Sequence, residues 1–208
     1  MNDYLQNNWA QLTSELPEIK AVFLRKLSQE YTSKQRHYHN LQHIEALLRL
    51  TDQYLDRLTN PKTLRFAIWY HDVIYQASRS DNEEKSAELA EQHLLQLGLE
   101  KTIISDVFRM IVATKSHRLP DSFHSFDGQF LLDIDLSILA ATPENYMVYT
   151  QQIRKEYRIY PNLMYNKGRK KVLHHFLEMD RIFVTDLCFE LYESKARINL
   201  KTELKNFS

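Results

Sequence analysis

Glycine and proline are scarce, with three and five residues respectively in a chain of 208. So few turn formers cannot punctuate the short strands of an all-β chain or the repeated turns of a βαβ chain, and the composition points to an all-α fold. A single cysteine, Cys188, excludes an intramolecular disulfide and fits a reducing compartment. Charge of one sign is not in excess: Lys plus Arg and Asp plus Glu both total 27, so no global field steers the chain toward a nucleic-acid polymer or an anionic membrane. Long hydrophobic runs are also missing. None approaches the roughly 20 apolar residues of a membrane span. The start, Met1-Asn2-Asp3-Tyr4-Leu5-Gln6-Asn7-Asn8-Trp9, has neither the basic end nor the apolar core of an export signal. The cytoplasm is therefore the expected location. With no internal repeat and no low-complexity linker, a single domain over 1–208 is expected, long enough to bury a substantial core.

Helical periodicity is what the chain does have. Leu5, Trp9, Leu12, Leu16, Ile19, Phe23, Leu24 and Leu27 recur at helical spacing, and Pro17 predicts a break into two helices. Ile44, Leu47, Leu48, Tyr54, Leu55 and Leu58 mark a further helix that ends before Asn60-Pro61. Ala87, Ala90, Leu94 and Leu97 form a stripe ended by Gly98, behind a capping box with Ser80 or Asp81 as N-cap. Ile103, Val107, Met110, Ile111 and Thr114 define the next helix, which runs into Lys115-Ser116-His117. Thr142-Pro143-Glu144 reads as an N-cap followed by proline in the first turn. Pro161 stops that helix, Asn166-Lys167-Gly168-Arg169-Lys170-Lys171 is expected to open another, and the last runs from about 182 to 198.

Three places put metal-binding or charged groups where packing is expected. The first is Ile68-Trp69-Tyr70-His71-Asp72-Val73-Ile74-Tyr75, an apolar stretch with one His-Asp pair. An unpaired buried carboxylate is costly, and a divalent cation would satisfy both side chains if further ligands arrive from elsewhere. By itself the dipeptide is equally an ordinary hydrogen-bonded pair. The second is Arg36-His37-Tyr38-His39-Asn40-Leu41-Gln42-His43, where three histidines feed a helix. His39 and His43 share a face if that helix already runs through residue 39. A zinc protease spaces two histidines the same way but needs glutamate directly after the first, and Asn40 stands there instead. The third is Phe130-Leu131-Leu132-Asp133-Ile134-Asp135-Leu136, whose carboxylates need a metal or a cationic partner if buried. In addition, the basic run around Arg169 opposes the dipole of a helix expected to begin at Asn166, which suits an anion held near the exposed amides, although a solvated basic face explains it as well.

In order, His43, His71-Asp72 and Asp135 form an H…HD…D series that resembles the HD superfamily of metal-dependent phosphohydrolases. Trp69-Tyr70-His71-Asp72, Asp81-Asn82-Glu83 and Ala113-Thr114-Lys115-Ser116-His117 extend the likeness over roughly 30–170, toward a bacterial branch identified as predicted HD phosphohydrolases. The resemblance implies a multi-helix HD-like bundle with a metal site in a cleft between helices, and His43, His71, Asp72 and Asp135 as ligands. His39 in place of His43, and Asp133 in place of Asp135, remain open at that point. Two histidines with carboxylates suit Mn²⁺, Fe²⁺, Co²⁺, Ni²⁺ or Mg²⁺, and also Zn²⁺. One ion is expected rather than two, because extra histidines for a second ion have only His117 as a match. The implied reaction is hydrolysis of a phosphate ester of a nucleotide or other small phosphorylated metabolite by a hydroxide generated at the metal. His39, Lys115, His117 and Arg36 would then neutralise phosphoryl oxygens or protonate the leaving group, Glu83 or Asp133 would orient the water, and Arg169 would contact the substrate. Two other classes compete: a non-phosphate enzyme on the same scaffold (an oxygenase or hydratase), and a binding module whose metal is structural. Neither a membrane nor a nucleic-acid polymer is an expected partner, and the oligomeric state is left open.

Overall fold

A computed structural model describes residues 1–207. Among them every regular element is helical, and no helix is long and apolar enough to cross a membrane. The chain divides into two compact units, Met1–Leu131 and the residues from Leu132 onward, with the division falling inside one helix.

The first unit contains α1 (Asp3–Leu12), α2 (Lys20–Tyr31), α3 (Leu41–Gln53), α4 (Pro61–Tyr70), α5 (Asn82–Gln96) and α6 (Lys101–Thr114), and a 3₁₀ turn at Leu55–Arg57. At its centre is α4. Leu64 and every residue from Phe66 to Tyr70 have no measurable exposure, so the last turn and a half of this helix is buried on all sides, and only its first half, at Lys62 and Arg65, meets solvent. Each of these large side chains contributes about 1.5–3 kcal/mol by leaving water. Trp9 meets Trp69 edge to face at 5.4 Å, and Trp69 Nε1 donates to Asn8 Oδ1 at 3.0 Å. α5 and α6 pack against one another and against α4, and α3 lies along α4 as well. The Asp127 carboxylate accepts from the Thr59 and Asn60 amides at 2.9 and 2.5 Å, and Asn60 in turn caps α4 through the Thr63 amide. That fixes where α4 begins.

Helix ends follow the expected chemistry in most cases. Gly98 adopts φ +75° just past α5, and the Leu99 amide reaches back to the Leu94 carbonyl at 3.1 Å, the arrangement that favours glycine. Asp81 occupies the N-cap position of α5, yet its carboxylate makes no cap bond. It forms a two-pronged pair with Arg79 instead, so the capping box expected there is absent.

The second unit carries the end of α7 (Phe126–Asp135), a 3₁₀ segment Leu136–Ala140, α8 (Pro143–Glu156), α9 (Asn162–Glu178) and α10 (Asp186–Lys205). α10 packs on the 3₁₀ segment and on α9. Thr142 caps α8 through the Asn145 amide and Pro143 occupies its first turn, as the sequence indicates. Pro161 is the N-cap of α9, so this helix starts at Asn162 and not at Asn166. α10 begins at Asp186, later than the expected 182, behind the N-cap Thr185, whose Oγ1 accepts from the Cys188 amide at 3.2 Å. The Cys188 thiol is buried at 1% exposure, and burial pushes its pKa up to about 12.

Candidate metal centre

Two chain segments of the first unit converge. Asn40 caps α3 by accepting from the Gln42 amide, so His43 lies in the first turn of that helix, on its buried face and 5% exposed. His39 precedes the cap and is not on the helix, so the shared face conditional on an earlier helix start does not form. α4 stops at Tyr70, with His71 as C-cap still in helical conformation and Asp72 in the turn that follows. Because the helix ends there, the side chain of Asp72 is not held a third of a turn away from His71, and both reach the same point.

His43 Nε2 stands 3.2 Å from His71 Nε2 and 3.7 Å from Asp72 Oδ2, and His71 Nε2 is 3.1 Å from the same oxygen. Ligand atoms about 2.1 Å from one ion are separated by about 3.0 Å at octahedral angles and about 3.4 Å at tetrahedral ones. The three edges fall around those values, and a point about 2.1 Å from all three atoms lies about 0.8 Å off their plane. The trio is thus arranged as one face of a coordination shell. The tautomer agrees. His71 Nδ1 lies 2.9 Å from the Ile68 carbonyl, which only accepts, so Nδ1 carries a proton, and in the neutral ring Nε2 is the nitrogen that can ligate. Nε2 stands 3.1 Å from the Asp72 carboxylate oxygen, at a place where His71 is only 1% exposed. The group of His43, His71 and Asp72 could hold a cation. Imidazole nitrogen with carboxylate oxygen suits Mn²⁺, Fe²⁺, Co²⁺, Ni²⁺ or Zn²⁺.

Around the trio the other expected residues take varied places. His39 stacks on Tyr75 with ring centroids 4.2 Å apart, and its ring centre is 6.0 Å from that of His43. Tyr38 touches both His39 and His43 rings. Glu83, in the first turn of α5, is half-buried; burial raises its carboxyl above the ordinary value and the negative charge of Asp72 raises it further. Lys115 pairs with Glu84 Oε1 at 2.5 Å, which raises the ammonium pKa and lowers that of the carboxyl. His117 has φ +50° at the end of α6, where the Arg118 amide returns to the Ala113 carbonyl at 3.3 Å. It fills the backbone position that Gly98 fills after α5.

Arg36, Asp133 and Arg169 have polar partners of another kind. Arg36 is 7% exposed, and its guanidinium donates to the main-chain carbonyls of His39, Asp72 and Val73. Its donors are therefore engaged by the backbone, not presented to a substrate. Asp133 is fully buried in the second unit and accepts from the Val184 amide, the Thr185 amide and Thr185 Oγ1 at 2.6, 2.8 and 2.6 Å. It anchors the start of α10, and the expected water-orienting role is replaced by this structural one. Arg169 lies two turns into α9, 8% exposed, paired with both oxygens of Glu203 at 2.7 and 2.8 Å. With the helix starting at Asn162, the argument for an anion at exposed amides near Arg169 falls away. Asp135 closes α7 in the second unit.

Tyr31 and Ser86 belong to the surroundings of the centre and were not singled out from the sequence. The Tyr31 hydroxyl donates to the Trp69 carbonyl at 3.0 Å, and Ser86 Oγ accepts from the Ile74 amide at 3.0 Å. A signal for Tyr31 existed in its place at the mouth of the histidine-rich loop, but a serine on the buried side of a capped helix carries none. No protein-family model, no curated protein and no solved structure matches the chain.

Proposed function

We propose that the chain is a metal-dependent phosphohydrolase of HD type, acting on a phosphate ester of a small metabolite or nucleotide. The observation that carries this reading is the triangle of His43 Nε2, His71 Nε2 and Asp72 Oδ2, with His71 Nδ1 held on the Ile68 carbonyl. The H…HD…D order of the sequence supports it. Asp135 enters as a ligand from that order alone, and the metal content of Asp135→Ala tests it.

When bound, a divalent ion polarises a phosphoryl oxygen and lowers the pKa of a coordinated water. The chain's own residues handle the protons and the charge. Glu83 has a carboxyl raised by burial and by Asp72, which suits acceptance of the proton from the attacking water. As the new oxygen–phosphorus bond forms, the ester oxygen–phosphorus bond breaks. The departing alkoxide takes a proton from His39, whose ring is held on Tyr75, or from His117. Lys115, tethered to Glu84, offers positive charge to the phosphoryl oxygens. The products are an alcohol and inorganic phosphate. Arg36, Asp133 and Arg169 have no part in substrate contact, since their polar atoms are engaged within the protein.

Purification without chelators, elemental analysis, and a phosphate-release screen of phosphorylated metabolites with Mn²⁺, Mg²⁺, Co²⁺ and Ni²⁺ test this reading. The expected result is about one ion per chain and turnover of at least one ester, both lost in His43→Ala and Asp72→Ala. A wild-type protein that retains no ion and releases no phosphate sinks it.

A further inference from the structure

We infer that Arg36 is a positioning residue that makes the two ligand-bearing segments one frame, and so sets the affinity of the metal centre. This rests on the metal-site reading above. The backbone around the turn after α4 shows why. A helix that ends leaves its last carbonyls without intrahelical partners, and these must be answered if they are buried. Here the Ile68 carbonyl takes His71 Nδ1, the Trp69 carbonyl takes the Tyr31 hydroxyl, and the Tyr70 carbonyl takes the Val73 amide. The carbonyls of Asp72 and Val73, just past the helix, both go to Arg36, through Nη1 at 2.5 Å and Nη2 at 2.6 Å. The same Nη1 donates to the His39 carbonyl at 3.1 Å. One planar fork therefore joins the loop that leads into His43 to the turn that carries His71 and Asp72.

The surroundings fit a fixed guanidinium. Its carbon lies 5.0 Å from the Tyr31 ring centroid and 5.6 Å from that of Tyr75. Among the described residues no carboxylate pairs with it, and its hydrogen bonds all go to main-chain oxygens. Burying a cation against carbonyls alone is a costly way to add stability, because neutral packing would do so without the desolvation. What the fork supplies is geometry. A lysine has one nitrogen and cannot span the three carbonyls in the same plane, so the exchange that preserves charge does not preserve the frame.

The test compares Mn²⁺ dissociation constants and the visible spectrum of the Co²⁺-loaded protein for wild type, Arg36→Lys, Arg36→Met and Asn8→Ala. Asn8 bonds Trp69 on the same helix but touches neither the loop nor the turn, so its loss reports destabilisation alone. Arg36→Lys and Arg36→Met are expected to weaken Mn²⁺ binding about tenfold to a hundredfold and to alter the Co²⁺ spectrum, with far-UV circular dichroism retained. Asn8→Ala is expected to lower Tm and bind Mn²⁺ as wild type does. In a further variant, Arg36→Ala, Mn²⁺ binding is expected to be weakened likewise and to be restored by millimolar guanidinium. Wild-type affinity and an unchanged Co²⁺ spectrum in Arg36→Lys overturn the inference, as does equal loss of binding in Asn8→Ala. Absence of Mn²⁺ binding by the wild type overturns the metal-site reading itself, a separate result.

Discussion

Asp72 and Asp133 look alike in the sequence, each a carboxylate interrupting an apolar run, but the structure surrounds them with opposite chemistry. Asp133 receives only donors: two amides and a hydroxyl at the start of α10. Burial raises its carboxyl while those bonds pull it down. Asp72 faces two imidazole nitrogens, one of which has its proton committed to a carbonyl on the far side of the ring. A buried acid among donors is already satisfied and holds the fold together. A half-buried acid beside two imidazoles belongs to a group that could hold a cation, so the identity of its neighbours separates the two carboxylates.

Breaking that contrast is most severe at Asp133. Asp133→Ala strands two amides and a hydroxyl in the interior and is expected to lower stability by about 3 kcal/mol or more in urea denaturation, with metal content unchanged. Loss of metal in that variant would put Asp133 back at the site. At Asp72 the pattern reverses: Asp72→Asn is expected to weaken Mn²⁺ binding about a hundredfold, which is about 2.7 kcal/mol, while metal-free stability moves by less than about 1 kcal/mol. A sharper version uses a buried imidazole outside the trio. His93 stacks on Phe23 at 3.9 Å and shares a hydrogen bond with the Tyr70 hydroxyl at 3.1 Å, and burial with the nearby Lys26 lowers its pKa from 6.5 to about 4. In the acid range the unfolded chain takes the proton first. Stability from this group is therefore whole above about pH 6.5 and falls with decreasing pH toward about 4, by about 1.4 kcal/mol per unit. Urea midpoints measured between about pH 7 and pH 5 are expected to decline less in His93→Gln than in wild type.

The helical fold was legible because apolar spacing and the caps at Gly98 and Thr142 agree with one another. The convergence of His43, His71 and Asp72 was expected from the H…HD…D resemblance, since each motif alone also fits ordinary hydrogen bonding. The roles of Arg36, Asp133 and Arg169 were not. Charge is written in the sequence, but the partner that absorbs it is set by tertiary packing: a turn 36 residues away for Arg36, and Glu203 on another helix for Arg169. The start of α9 was missed because its cap is a side chain without a hydrogen-bonding oxygen. Pro161 opens α9 with no cap bond, so the polar Asn166 looked like the better beginning.

The lone thiol offers a clock. With Cys188 at 1% exposure and its pKa near 12, an alkylating reagent has neither access nor thiolate while the start of α10 is closed. Labelling can proceed only through molecules in which that junction has come apart. Its rate at this single sulfur therefore times the opening of the second unit, with no reporter group to engineer.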